Sequence, residues 1–424
     1  MNNVDKQYLD ILRDIMENGS DKMTRSGEVR SVFGRTMRFN LKDGLPLLTT
    51  KKVFVKGIIH ELLWFLNGDT NIKYLAENNV HIWDDDAYRY YLELVKKHNE
   101  FCLKRNEAVS ASEHVTYFYD RMDEKNPILE NNESDEWIDY ADSLIDTLGG
   151  NLTMIEPLDK ASFLTKVLNG DIEPMICDIY TYPNDGGYDF SLFDYRYGEM
   201  GKIYGHQWRS QGVDKIDQIQ DIIDMLKTNP DDRRMICMAW NRGDFDEMGL
   251  PPCHYGFQVY TRELSEEERW KIFKEKFLEP SDEEGYFNLM TTRDEHYIKG
   301  SLVPYLNRKG VPSRELSLSF NMRSNDFCCG NPYNICQYSL LAYMLCEVCN
   351  MVPGELIYNG GDVHIYKNHF DGVNEQLSRQ GSDILPTLSF ARKHDNINDF
   401  TYEDFIIENY HPEPPIKYQL NVGL

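Results

Sequence analysis

The chain has 424 residues, 41% of them hydrophobic and 12% aromatic, which is ample for a large core and excludes disorder throughout. Its formal net charge of −25 excludes an overall basic footprint for nucleic acid. An anionic ligand would need a local group of Arg or Lys working against that field.

Taken in order, residues 4–17 predict a helix, with Tyr8, Ile11, Leu12 and Ile15 on one stripe. The opening "MNNVDKQYLDILRDIMENG" is charged and amphipathic and has no signal-peptide core. No apolar run reaches bilayer-spanning length, so the expectation is a cytoplasmic protein without a membrane partner. "RSVFGRTMRFNL" predicts a strand and a turn. "FVKGIIHELLWFLNG" has helical apolar spacing and ends at a glycine, a helix stop. "SLSFNMRS" alternates as a strand does, and "GELIYNGGDVHIY" predicts strands broken by a Gly-Gly turn. "NICQYSLLAYMLCEVCNM" predicts a buried helix. Helices and strands are mixed without regular βαβ alternation, so an α+β domain around a mixed or antiparallel sheet is expected.

Two stretches differ in texture. Residues 89–195 carry about half of the net negative charge, and residues 263–314 open with the charged helical pattern "ELSEEERWKIFKEKF". Both are read as insertions into a single domain spanning 1–424, where solvated surface excursions are the plain alternative.

The nine cysteines are odd in number and irregularly spaced in a large chain, which fits reduced thiols better than a disulfide framework. Cys346 and Cys349 form one isolated CxxC inside the apolar helix, where burial is the simpler reading than a metal. Cys253 stands apart. In "GLPPCHYGFQVY" two prolines restrict the backbone just before it, and an alternating apolar run follows. A stiff backbone places that thiol. It is either a small core residue before a strand or a nucleophile held at one address.

Six long motifs in fixed order decide between these: "HELLWFLNGDTN", "YGHQWR", "DDRRMICMAWN", "LPPCHYGFQ", "RSNDFCCGNPYNICQYSLLAYM" and "GDVHIYKNH". Through them the chain resembles the thymidylate synthase family, over residues 1–88, 196–262 and 315–424. The resemblance implies an α+β fold whose mixed sheet, packed with helices, turns one face to a second copy of the chain. It also implies transfer of a one-carbon unit from 5,10-methylenetetrahydrofolate to C5 of a pyrimidine deoxynucleotide, with no metal and no nucleic-acid partner.

Cys253 is then the nucleophile. Its thiolate adds to C6 of the pyrimidine, and the enolate so formed attacks the methylene carbon from C5, splitting one hard step into two. A nearby cation favours the thiolate, and Arg323 matches the family arginine facing both thiolate and phosphate. Several guanidinium groups suit a phosphate dianion. Arg25 and Arg323 with Ser324 match the phosphate ligands of one subunit, and Arg233 and Arg234 match the pair supplied by the partner. Glu61, among apolar neighbours in "IIHELLWFL", matches the proton-transfer carboxyl, and such surroundings are expected to raise its pKa. Tyr204, His206 and His254 match positions supporting the water network, and His364 and Tyr366 match the pair on the deoxyribose hydroxyl. A zinc site of His364 with His369 fails for want of further ligands at suitable spacing. An Asn amide can meet both N3–H and O4 of uracil, and the related bacteriophage deoxycytidylate hydroxymethylases carry Asp at this place, so Asn334 implies dUMP. Asp326 matches the aspartate on the pterin ring, and Ile82, Trp83, Leu250, Gly330 and Tyr333 match the folate wall.

The chain also departs from the pattern. "IWDDDA" has Asp86 where the family has a second Trp, and "CCGNPYN" has Cys328, Cys329, Asn331 and Tyr333 where Phe, Leu, Leu and Phe are usual. Phe54 stands where a His or similar residue is usual. These changes are expected to make the folate side more polar and wetter. One intermediate has two fates: hydride from the folate gives dTMP and dihydrofolate, whereas water gives 5-hydroxymethyl-dUMP and tetrahydrofolate. The retained Trp83 and the apolar C-terminus at Leu424 favour the first. A homologue that binds nucleotide without turnover is a remote alternative.

Overall fold

In a computed structural model the structure describes residues 1–111, 115–119, 154–181, 188–277 and 302–418. The chain divides into two compact units. Unit 1 holds Met1–Asp69, Lys202–Asp246 and Pro251–Leu424, and unit 2 holds Thr70–Gly201 and Glu247–Leu250.

Unit 1 is built on a six-stranded sheet in the order β1-β2-β9-β8-β7-β6. The strands are β1 (Ser20–Thr24), β2 (Gly27–Asn40), β6 (Ile236–Met238), β7 (His254–Glu263), β8 (Arg314–Asp326) and β9 (Val352–Tyr366). All neighbours pair antiparallel except β8 and β9, which run parallel. A parallel pair needs a long crossover, and helix α10 (Gly330–Cys349) supplies it. Fourteen of its residues are buried, as expected for a helix apolar on nearly every side. Tyr338 from this helix stacks on Phe320 of β8 at 4.2 Å, and Trp208 and Phe257 close around it.

Helix α1 (Asn3–Asn18) follows its predicted stripe, with Tyr8, Ile11, Leu12 and Ile15 buried. The side chain of Asn2 caps it by accepting from the Asp5 N–H at 2.9 Å. Helix α2 (Val55–Leu66) has ten buried residues, Glu61 among them. Packing on this face of the sheet is matched by an open opposite face. There Phe33 is 84% and Tyr260 65% exposed, and Asn359 donates to Ser319 at 3.0 Å and Asn321 at 3.2 Å.

One expectation is corrected. "GELIYNGGDVHIY" is a single continuous strand, with no turn at Gly360-Gly361. A Cβ on Gly361 would lie 2.9 Å from the Arg323 carbonyl, and one on Gly360 would lie 2.0 Å from the Tyr358 hydroxyl. Gly361 is needed for the close approach of β8 and Gly360 for room beside Tyr358 of its own strand, not for a reversal.

Unit 2 contains α3 (Lys73–Glu77), α4 (Asp84–Ala111), α5 (Lys160–Asn169) and a small sheet of β3 (Val115–Tyr119), β5 (Tyr188–Arg196) and β4 (Ile172–Thr181), in that order. Its core is aromatic: Tyr91 lies 5.1 Å from Phe163 and 5.4 Å from Tyr197, ring to ring. Residue 89 falls inside α4, so the acidic stretch continues a helix that begins before it.

The stretch 263–314 joins β7 to β8, which are adjacent antiparallel strands. Residues 278–301 lie outside the described residues. On either side of them, α8 (Glu266–Lys276) and α9 (Leu302–Arg308) bury Phe273, Leu306 and Val311 together. Arg269 is 4% exposed, and its guanidinium donates to the carbonyls of Pro312 and Val311 and to Asn307. A buried guanidinium with these three acceptors ties the excursion to its own base.

Candidate active site

Cys253 occupies the last position before β7 and is half-buried. Its backbone N–H donates to the Tyr204 hydroxyl at 2.7 Å, and its carbonyl accepts from the Arg323 N–H at 2.9 Å. The Arg323 side chain then reaches along the same loop, with Nε donating to the Pro252 carbonyl at 2.8 Å and Nη2 to that of Pro251 at 2.9 Å. The Pro-Pro step, β8 and the start of α6 (Tyr204–Arg209) therefore fix one residue from three directions. Directly after it, β7 shifts register against β8 between His254 and Gly256. Bulges of this kind re-aim side chains beside functional sites.

Behind the thiol lies a buried aromatic stack. The His254 ring lies 4.1 Å from Tyr204 at 11°, and Phe65 of α2 lies 4.8 Å from Tyr204. His254 Nδ1 is 2.8 Å from the Tyr338 hydroxyl. Burial depresses the His254 pKa to about 3, so the ring is neutral near pH 7 and positions its neighbours as a dipole. Burial pushes the Tyr204 phenol well above its usual range, and the nearby Cys253 and Glu61 add to that while Arg323 opposes it. Tyr204 thus remains protonated and keeps a neutral hydroxyl beside Cys253.

Glu61 is 9% exposed and accepts from Gln337 Nε2 of α10 at 2.9 Å. Tyr333, on the first turn of that helix, has its phenol raised to about 12 by burial first and by Glu61 second. Asn334 is half-buried beside it, and among the described residues its amide has no hydrogen-bond partner. The Asn334 Oδ1 lies 3.6 Å from where a Cβ on Gly330 would be, an ordinary contact that places the amide beside the start of the helix.

Asp326 ends β8 and accepts from the N–H groups of Cys328 and Cys329 at 3.0 Å each. Its register partner is His364. His364 Nδ1 lies 3.6 Å from Asp362, whose carboxyl is lowered to about 2 by His364 first and by Lys22 with it. Tyr366 is raised by burial, while a hydrogen bond with Ser26 opposes the shift; it also feels Asp326, Cys253 and Cys329.

Cys253, Glu61, Tyr204, His254, Arg323, Asp326, Tyr333, Asn334, His364 and Tyr366 all belong to unit 1. Ser324 is half-buried on β8, opposite Asp362, and His206 is half-buried on α6. Ile82 and Trp83 precede α4 in unit 2, and Leu250 belongs to the same unit through the segment Glu247–Leu250. The arginines are less gathered. Arg25 is exposed in the β1–β2 turn, and Arg233 and Arg234 are exposed before β6. Arg234 is paired with Asp232 through bonds of 3.0 and 2.6 Å.

Sequence reading missed the supports of the site. Gln337 holds Glu61, Tyr338 holds His254, and Lys51 is buried with its ammonium donating to the Cys328 carbonyl. The only signal for Gln337 was its position one turn after Asn334. Lys51 sat unnoticed in "TTKKV".

Two of the departures take an unexpected form. Asn331 is fully buried, donating to Asn325 Oδ1 at 2.7 Å, and Cys328 is fully buried as well. Neither side chain is exposed to solvent. Asn331 joins a polar knot inside the fold, where Tyr358 also donates to Asn325 Oδ1 at 2.8 Å, while Asn331 Oδ1 and Asn325 Nδ2 have no hydrogen-bond partner among the described residues. Asp86 is half-buried and ion-paired to Arg89 at 3.1 Å, and Arg89 donates to the Gly249 carbonyl at 2.9 Å.

A family model described as thymidylate synthase matches residues 6–275 and 286–422. The chain belongs to the thymidylate synthase family. That match supports folate-dependent one-carbon transfer to dUMP, with methylenetetrahydrofolate as cosubstrate. It runs through most of the two stretches that composition had set apart. No helix among the described residues is long and apolar enough to cross a membrane.

Proposed function

We propose that this family member is a methylating enzyme, converting dUMP to dTMP and dihydrofolate through a covalent Cys253–C6 adduct. The observation that carries the reading is the three-way fixing of Cys253 by Tyr204, Arg323 and the Pro-Pro step. A nucleophile so held avoids the entropy of finding its target. The thiolate sulfur forms a bond to C6 while the C5–C6 π electrons move toward O4, and C5 then bonds to the methylene carbon. Glu61, buried against Gln337, serves the proton transfers. The open amide of Asn334 takes N3–H and O4 of uracil. Loss of the C5 proton and cleavage of the methylene–nitrogen bond free tetrahydrofolate and leave an exocyclic methylene. Hydride from that folate completes the methyl group, giving dihydrofolate, as the C6–S bond breaks and returns the Cys253 thiolate.

The retained Trp83 supports hydride over water, and so does the burial of Asn331 and Cys328, which removes two of the polar changes from the argument for a wet wall. Asp86 and the half-buried Cys329 favour the alternative, a dUMP hydroxymethylase. Leu424, also invoked for closure, lies outside the described residues.

The reading extends to a homodimer joined through the open face of the sheet, where Phe33 and Tyr260 are exposed. Arg233 and Arg234 would cross to the partner's phosphate site and join Arg25, Arg323 and Ser324 there. The acidic stretch 89–195 and the stretch 263–314 are read as elaborations of one catalytic chain.

Mass analysis of the nucleotide formed from dUMP and methylenetetrahydrofolate tests the reading. The expected product is dTMP, with dihydrofolate absorbance rising in step. Dominant hydroxymethyl-dUMP without dihydrofolate would overturn methylation.

A further inference from the structure

Asp326, Cys329 and His369 come from the end of β8, the residue before α10 and the short helical turn Lys367–His369. Their ligand atoms all lie within 4.8 Å of one another. We propose that these three side chains bind a divalent ion of the zinc class.

The donor set is one carboxylate oxygen, one sulfur and one imidazole nitrogen. That mixture suits borderline-soft ions such as Zn(II) and gives Mg(II) or Ca(II) too few oxygens. Three protein ligands leave a fourth position open, as in sites that exchange water or substrate. Asp326 is already oriented by the two backbone N–H groups it accepts from, which is how ligating carboxylates are commonly fixed. His369 is 1% exposed, with its ring centroid 4.9 Å from Tyr418 and 5.7 Å from Tyr366. Cys329 and Asp326 are half-buried, which leaves the site an entrance. Cys329 also stands where leucine is usual in the family, so the third ligand is a property of this chain.

The charges balance. On binding, the Cys329 S–H bond breaks, a sulfur–metal bond forms, and the proton leaves to solvent. The thiolate and the Asp326 carboxylate together then neutralise the ion. Lys51 opposes it: its buried ammonium lies close enough to be felt by Asp326, Cys328 and Cys329. If Asp326 holds the pterin ring, a consequence resting on the proposed function, metal and reduced folate exclude each other.

The test uses Co(II) as the probe, titrated into the purified, reduced full-length protein. The expected result is a thiolate-to-cobalt charge-transfer band that saturates at one ion per chain and persists in Cys253→Ser. Cys329→Leu, the family's usual residue, should lose the band while keeping the circular dichroism of the parent. No band at saturating Co(II), or an equal band in Cys329→Leu, would overturn the site. Zn(II) inhibition of tritium release from 5-tritiated dUMP should compete with methylenetetrahydrofolate. A cobalt band without such competition would leave the metal site standing and refute the pterin role of Asp326.

Discussion

Arg323 grips the loop of Cys253 by main chain and side chain at once: its N–H donates to the Cys253 carbonyl, and its guanidinium donates to the carbonyls of Pro251 and Pro252. Each proline lacks an N–H, so this segment has few backbone donors of its own. A lysine at 323 keeps the charge but loses the planar fork that reaches two carbonyls together. Arg323→Lys should lower kcat by roughly a hundredfold, the scale of a small misplacement of a reacting group. Steady-state kinetics beside a melting curve checks this. A kcat within a fewfold of the parent would show that the fork does not position the thiol.

Cys253→Ser should abolish turnover and leave dUMP binding largely intact, because a hydroxyl fits the site but is a far weaker nucleophile. Calorimetry measures the binding and tritium release the turnover. Activity within about tenfold of the parent enzyme would remove Cys253 from the nucleophile's role.

The buried His254 gives a pH signature. Its folded pKa is about 3, below the ordinary value of 6.5. Between those values the unfolded chain takes up a proton that the folded chain refuses, so this term lowers stability as pH falls from 6.5 toward 3. Gln at 254 does not titrate. Urea unfolding between about pH 7.5 and pH 5.5 should show a shallower loss of stability for His254→Gln than for the parent, with the variant less stable at the upper end. Parallel curves would mean that His254 takes up its proton in the fold.

Helix α1, α2 and the buried α10 were legible because each carries its period over many residues. The strand through Gly360-Gly361 was misread because a glycine pair signals a turn locally. Only the approach of the neighbouring strand and of Tyr358 shows why side chains are excluded there. Cys253 stood out through the stiffness of its surroundings, and the ordered motifs turned that into a proposed nucleophile. Its supports did not stand out. Gln337 and Tyr338 look like ordinary residues of a buried helix until α2 and β7 are folded against them. Asn331 was misjudged for a related reason. A polar residue in a motif reads as a wet surface, yet inside a fold it can spend its amide on another buried Asn.

The shared-site reading has a genetic form. Arg234→Ala should impair the partner's active site, whereas Cys253→Ser impairs its own. Heterodimers formed by mixing the two inactive proteins would carry one site with both defects and one with neither. Mixing should restore a measurable fraction of parent activity once subunit exchange is confirmed. No rescue at any ratio would refute the crossing arginines.

The last expectation separates packing from product choice. Asn331 donates to Asn325, and both are buried. Leucine at 331 would leave the Asn325 oxygen with Tyr358 alone and place an apolar branch where a polar knot stood. Loss of one hydrogen bond from an acceptor that keeps another costs about 0.5–1.5 kcal/mol. Asn331→Leu should therefore lower stability by that order without changing the ratio of methyl to hydroxymethyl product. Asp86 differs, because it holds Arg89, and Arg89 holds the Gly249 carbonyl one residue before Leu250 of the proposed folate wall. Asp86→Trp restores the family's aromatic residue but leaves Glu93 as that arginine's remaining carboxylate. If the polar side chain admits water, hydroxymethyl product should fall in Asp86→Trp even as kcat drops. Nucleotide mass analysis on both variants reads the two effects separately. A product ratio that follows Asn331 and ignores Asp86 would place the water route inside the buried knot and overturn this division.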